Sequence, residues 1–115
     1  MNLSSQHNLQ SIADKKEISV ILKYGTKYST CYGPVFFYNN KKCKKNKVGI
    51  LVKKNIGKAF YRNYIKRVLR FYIRTELTLF KDFNRVIFIY RNNVKTNFNK
   101  ISSEYNLKLR RLTSN

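Results

Sequence analysis

Lys58-Ala59-Phe60-Tyr61-Arg62-Asn63-Tyr64-Ile65-Lys66-Arg67-Val68-Leu69-Arg70-Phe71-Tyr72-Ile73-Arg74-Thr75-Glu76-Leu77 reads as one long helix, and its place in the chain decides the fold. At roughly 100° per residue, Phe60, Tyr61, Tyr64, Ile65, Val68, Leu69, Phe71 and Tyr72 gather on one side. Lys58, Arg62, Asn63, Lys66, Arg67, Arg70 and Arg74 spread over the other, with Ala59 and Ile73 as apolar intrusions. Asn55-Ile56-Gly57 is a turn signal just before it. Short apolar runs flank the stretch, Val48 to Val52 before it and Arg85 to Tyr90 after it, and both read as strands. Any parallel pair in this chain needs a helical crossover, and this is the only long helix available to supply one.

Working outward, Asp14 is placed to cap a helix over Lys15 to Tyr24, with Ile18, Ile21 and Leu22 on one face and Gly25 as its stop. Thr30 to Tyr38 is rich in aromatic and β-branched residues and reads as a strand, in which Gly33-Pro34 marks an edge position or a bulge. Asn39 to Lys47 is a lysine-rich loop, read as solvated. From about Asn97 to Leu112 a last amphipathic helix turns Phe98, Ile101, Tyr105, Leu109 and Leu112 inward. Residues 1–12 are polar and without period, which reads as a mobile end. The expected fold is a single α+β domain over residues 1–115, a small α/β sandwich of order α-β-β-α-β-α with helices covering one face of a sheet.

Charge bounds the function. The chain of 115 residues has 25 Lys and Arg against 5 Asp and Glu, a formal charge of +20. Ile18 to Thr75 contains no acid at all and fifteen basic residues. A/T-rich codon bias would favour Lys over Arg, but it would favour Glu too, and only three Glu stand beside seventeen Lys. Solvated helix faces normally mix signs to gain i,i+4 pairs. Here like charges repel along one face unless an anion neutralises them, so the partner expected is a polyanion, with the cations tracking its phosphates. Four of the six cations on the helix are Arg, whose planar fork matches phosphate. A membrane-surface helix fits worse, because the apolar side is needed to close a core.

The residues then match a family. Lys54-Asn55-Ile56-Gly57-Lys58-Ala59-Phe60-Tyr61-Arg62-Asn63-Tyr64-Ile65-Lys66-Arg67-Val68-Leu69-Arg70 resembles the signature of the bacterial ribonuclease P protein subunit, an Arg-Asn-x-x-Lys-Arg helix preceded by Lys, Gly and Ala at fixed spacing. Lys16 to Gly25 resembles the family's first helix, Val48-Gly49-Ile50 the strand before the signature, and Val86 to Tyr90 its last strand. The resemblance implies that the helix carrying Arg62, Asn63, Lys66, Arg67 and Arg70 contacts a catalytic RNA, with Lys53, Lys54 and Lys58 extending that surface. It also implies a cleft between the first helix and the sheet for the single-stranded 5′ leader of precursor tRNA, lined by Ile18, Leu22 and Tyr38. Apolar floors suit unpaired bases, although the same three residues serve equally as ordinary core. The family often has aromatic residues at the positions of Ile18 and Leu22, and Ser followed by two Lys where Lys53-Lys54-Asn55 stands.

Protein side chains that hydrolyse a phosphodiester need clustered carboxylates for metal ions or a His acid–base pair. Asp14, Glu17, Glu76, Asp82 and Glu104 are scattered, and the one histidine, His7, lies in the polar N-terminal segment. No catalytic residue and no metal or cofactor site is expected in the protein. In the family the partner RNA holds the Mg²⁺ ions and cleaves, so the chain would be an accessory subunit of an endoribonuclease. Cys31 and Cys43 lack metal-ligand spacing, and with no secretory signal or membrane-length apolar run the chain reads as cytoplasmic with reduced thiols. Two rivals remain from the residues alone: a ribosomal or other structural RNA-binding protein, and a small basic RNA-cleaving toxin.

Overall fold

The structure, a computed structural model, describes residues 10–76, 80, 82–92 and 95–113, with side chains to residue 109. Its elements in chain order are β1 (Gln10–Ser11), α1 (Lys15–Tyr24), β2 (Thr26–Thr30), β3 (Gly33–Tyr38), β4 (Lys47–Val52), α2 (Ala59–Thr75), β5 (Arg85–Tyr90) and α3 (Phe98–Thr113), with a 3-10 turn at Lys54–Ile56 before α2. The six expected elements are all present in the expected order, and two strands are added. β2 is one of them: the hairpin partner of β3 begins directly after α1, and its alternation of exposed and half-buried residues is too polar to stand out in sequence. β1 is the other. It corrects the reading of a mobile end through residue 12, since Gln10 and Ser11 pair with Lys47 and Val48 and Ile12 is buried. Residues 1–9, His7 among them, lie outside the described residues, as does Leu77 at the far end of the expected crossover helix.

α1 starts where its cap predicts. The Asp14 carboxylate accepts the Lys16 amide at 2.9 Å, Glu17 sits in the first turn and Lys23 in the last, complementing the helix dipole. Gly25 ends the helix, as its place in the sequence predicts. Its φ is −73°, and a Cβ there would stand 2.5 Å from the Ile21 carbonyl oxygen and 3.0 Å from that of Phe37. Close approach, and not backbone handedness, requires the glycine.

The sheet runs β1-β4-β5-β3-β2. β4 and β5 are parallel and joined through α2, which is the crossover; β3 is antiparallel to both β5 and β2. Every residue of β5 except the half-buried Ile89 is buried, because this central strand is covered on both sides. Val86, Phe88 and Tyr90 pack with Val35, Phe37, Val48 and the inner sides of α2 and α3. Arg85, Ile87 and Ile89 face α1. The expectation that helices cover one face is therefore corrected: α1 closes the opposite face with Ile12 and Ile21 over Ile87.

One buried polar cluster ties these layers together. The Arg85 side chain, 1% exposed, donates from Nε to Glu17 on α1 at 2.6 Å and from Nη1 to the carbonyls of Lys45 and Asn84, each at 2.7 Å. The Asn84 amide donates to the carbonyls of Asn40 and Cys43 and accepts the Asn40 amide at 2.7 Å. Residues 41–46 are all exposed, as a solvated loop requires, but the backbone of this lysine-rich segment is held at both ends.

Candidate nucleic-acid interface

Gly57 aims α2. The chain leaves β4 through the 3-10 turn, whose Ile56 is buried, and passes Gly57 at φ 158° and ψ −166°, a region reached almost only by glycine. A Cβ there would also press within 3.3 Å of the Tyr61 ring. Lys58 then forms the N-cap without a side-chain hydrogen bond, and Lys53, Lys54 and Lys58 at the start of α2 are all exposed. A helix N-terminus next to three cations favours an anion.

Along α2, Ile65, Val68, Leu69, Tyr72 and Ile73 are buried, while Asn63, Arg67, Arg70 and Arg74 are exposed and Arg62 and Lys66 half-buried. Ile73, read as an intrusion into the basic face, is 1% exposed and belongs to the core. Phe60 and Phe71 go the other way. Placed with the core in the sequence reading, they are 73% and 54% exposed. The core-facing arc is centred between Leu69 and Tyr72, which turns Phe60 and Phe71 past its edge. Arg62 reaches back to the Lys54 carbonyl at 3.4 Å, a long contact that biases its guanidinium towards the turn.

The basic face has two flanks. Arg70 and Arg74 line a cavity of about 130 Å³ at the sheet edge with Ser11, Ile12 and β4. Arg67 lines a shallow groove with Phe60, Tyr61, Asn63 and Tyr64. Among the described residues the one ion pair is Arg85–Glu17, so none of these α2 cations has an acid partner there. The structure thus brings Lys53, Lys54, Lys58, Arg62, Asn63, Lys66, Arg67 and Arg70 onto one continuous turn and helix.

Ile18, Leu22 and Tyr38 lie elsewhere, on the α1 face, separated from the basic helix by the sheet. They are half-buried together, packed on the small core of Ile12, Ile21 and Ile87. Phe36 and Ile89 share this surface and were missed in the sequence reading. Period-2 alternation within β3 would have found Phe36, two residues from Tyr38. Register adds Lys27, exposed and directly opposite Phe36 on β2.

Three of the acids are each engaged in a different structural contact. Asp14 caps α1, Glu17 holds Arg85, and Glu104 accepts the Cys31 amide at 2.7 Å. Among the described residues no three His, Cys, Asp or Glu come together. Cys31 and Cys43 are exposed and form no disulfide; partial burial, then the Glu104 carboxylate beside the thiol, raise the Cys31 thiol pKa. No described helix is long and apolar enough to cross a membrane.

Comparison with known proteins bears on this arrangement. The family model described as Ribonuclease P matches residues 6–113. A ribonuclease P protein component of Fusobacterium nucleatum subsp. nucleatum is 33% identical over 81 residues, 70% of this chain and 72% of that protein. The solved RNase P protein of Staphylococcus aureus superposes with a TM-score of 0.77 at 24% identity, covering 91% of this chain and 96% of that one. That of Thermotoga maritima gives 0.71 at 24% identity, covering 90% and 94%. Those two likenesses establish the shared fold; the family model, spanning the sheet, the crossover helix and its basic face alike, establishes that this chain belongs to the ribonuclease P protein family.

Proposed function

We propose that this chain is the subunit that binds the catalytic RNA and the 5′ leader of precursor tRNA, assisting endonucleolytic removal of that leader in the cytoplasm. The observation that carries the reading is the α2 face, whose cations have no acid partner among the described residues, in a member of this family. Lys53, Lys54, Lys58, Arg62, Asn63, Lys66, Arg67 and Arg70 take the catalytic RNA. Ile18, Leu22 and Tyr38, with Phe36 and Ile89 beside them, take the unpaired leader on the α1 face, where an apolar floor accepts bases of any sequence. The partner RNA holds the Mg²⁺ ions and cuts. Asp14, Glu17 and Glu104 support that division of labour, since each is committed to a different structural contact. A dense cationic face lowers repulsion between two RNAs and with it the demand for Mg²⁺.

Reconstitution tests this. The protein alone should leave precursor tRNA intact, yet lower the Mg²⁺ or salt concentration at which a bacterial catalytic RNA removes the leader. Cleavage by the protein alone would point to a nuclease in its own right. RNA binding with no effect on processing would point to a structural RNA-binding protein.

A further inference from the structure

Phe60 is the most exposed large hydrophobic side chain among the described residues, at 73%, and it stands on the helix that carries the basic face. It forms the rim of the groove with Tyr61, Asn63, Tyr64 and Arg67, about 460 Å³ and open to solvent. Tyr61 and Tyr64, which line it too, are stacked, centroids 6.1 Å apart and planes 26° from parallel, and the Tyr61 hydroxyl is buried. From this groove we infer that α2 holds an unpaired RNA base, stacked on Phe60, in addition to gripping phosphates. A flat apolar ring with an amide and a guanidinium at its edge matches the three parts of a nucleotide: the base face to Phe60, the base edge to Asn63, the phosphate to Arg67. The charge of +20 selects the occupant. A second copy of the chain would bring like charge against like. The inference rests on the RNA-binding reading above and specifies a contact within it.

The test uses the full chain without any catalytic RNA and a short single-stranded RNA carrying 2-aminopurine. Stacking predicts quenching on binding to the native protein and to Phe60→Trp. Phe60→Leu keeps apolar bulk without a ring and should bind about 5- to 100-fold more weakly. Its salt dependence should stay unchanged, because stacking releases no counterions. Equal affinity for Phe60→Leu overturns the inference, and so does a loss of affinity accompanied by a lower salt slope. A change of oligomeric state with RNA affinity intact would assign the groove to a second copy. Loss of binding to phosphatidylserine vesicles with RNA affinity intact would assign it to a membrane. Should Phe60→Leu fail to fold, photocrosslinking of 5-iodouridine strands to the native chain decides: adducts at Phe60 or Tyr64 support the inference, adducts only elsewhere refute it. Quenching by a protein that gives no help to a catalytic RNA would leave the base site standing and remove the subunit reading.

Discussion

Tyr90 and Tyr105 carry their hydroxyls into the core, where neither finds a hydrogen-bond partner among the described residues, while the Tyr72 hydroxyl donates to Asn106 at 2.9 Å. Burial is the main cause that raises all three phenol pKa values, and neighbouring acids or phenols add to it: Glu76 for Tyr72, nearby tyrosines for Tyr90 and Tyr105. A raised pKa in the folded chain means that the unfolded chain binds fewer protons above about pH 10, where free tyrosine ionises. Stability from these groups is complete below that pH and falls as pH rises towards the folded values, by about 1.4 kcal/mol per unit for each tyrosine. The urea midpoint should therefore fall between pH 9 and pH 11, and fall less in Tyr105→Phe. Lysine deprotonation relieves self-repulsion equally in both proteins, so their difference isolates the phenol. At pH 8, Tyr105→Phe should be at least as stable as the native chain, since the lost hydroxyl made no bond. Equal slopes for the two proteins would show that Tyr105 ionises without unfolding. None of this was legible in sequence, where a tyrosine at a helical core position does not reveal whether its hydroxyl reaches a partner.

α2 is the element on which sequence and structure can be compared most closely. Its existence and basic face follow from composition and a 3.6-residue period, and the structure keeps both, with the helix running Ala59–Thr75 between Lys58 and Glu76 as its caps. The angular reading failed at Phe60, Phe71 and Ile73, because which apolar residues lie inside depends on the line of contact with β4, β5 and α3, and no single helix encodes that line. Phe71 is occupied by such a contact, its ring edge-on to Phe98 at 5.1 Å. The same limit hid β1 and β2, which are short or polar and gain their identity only from the partners they pair with. Phosphate contact along α2 has its own signature. Arg62→Ala and Arg67→Ala should each weaken binding to RNA of any sequence and reduce the salt slope by about one. Binding titrations at several salt concentrations measure it, and an unchanged slope would move the phosphate contacts off this helix. Arg62 carries a second consequence, since its reach to Lys54 helps fix the turn that aims the helix.

At the scale of the whole molecule, the +20 charge opposes compaction, and the acids that could offset it are few. A polyanion that binds only the folded chain stabilises it by mass action, about 2.7 kcal/mol at a hundredfold excess over Kd. For a domain of this size that is roughly 10 °C or more in Tm. Thermal melts with structured RNA should show this rise, and sulfate should raise Tm more than sodium chloride at equal ionic strength. A Tm indifferent to both would mean that the basic face gains nothing from neutralisation. The α+β class and the crossover were legible at this scale; the coverage of both sheet faces was not, because the seat of α1 is set by its contacts with Ile87 and Arg85 across the sheet, which no period along the chain encodes. The position of β5 also orders events in time. β3 and β4 both pair with it, yet it is made after either of them and after α2. A growing chain that has not reached residue 85 has the cations of α2 but no completed sheet to hold them in place. The protein therefore becomes able to present its basic face only once β5 has been made and has paired with its neighbours.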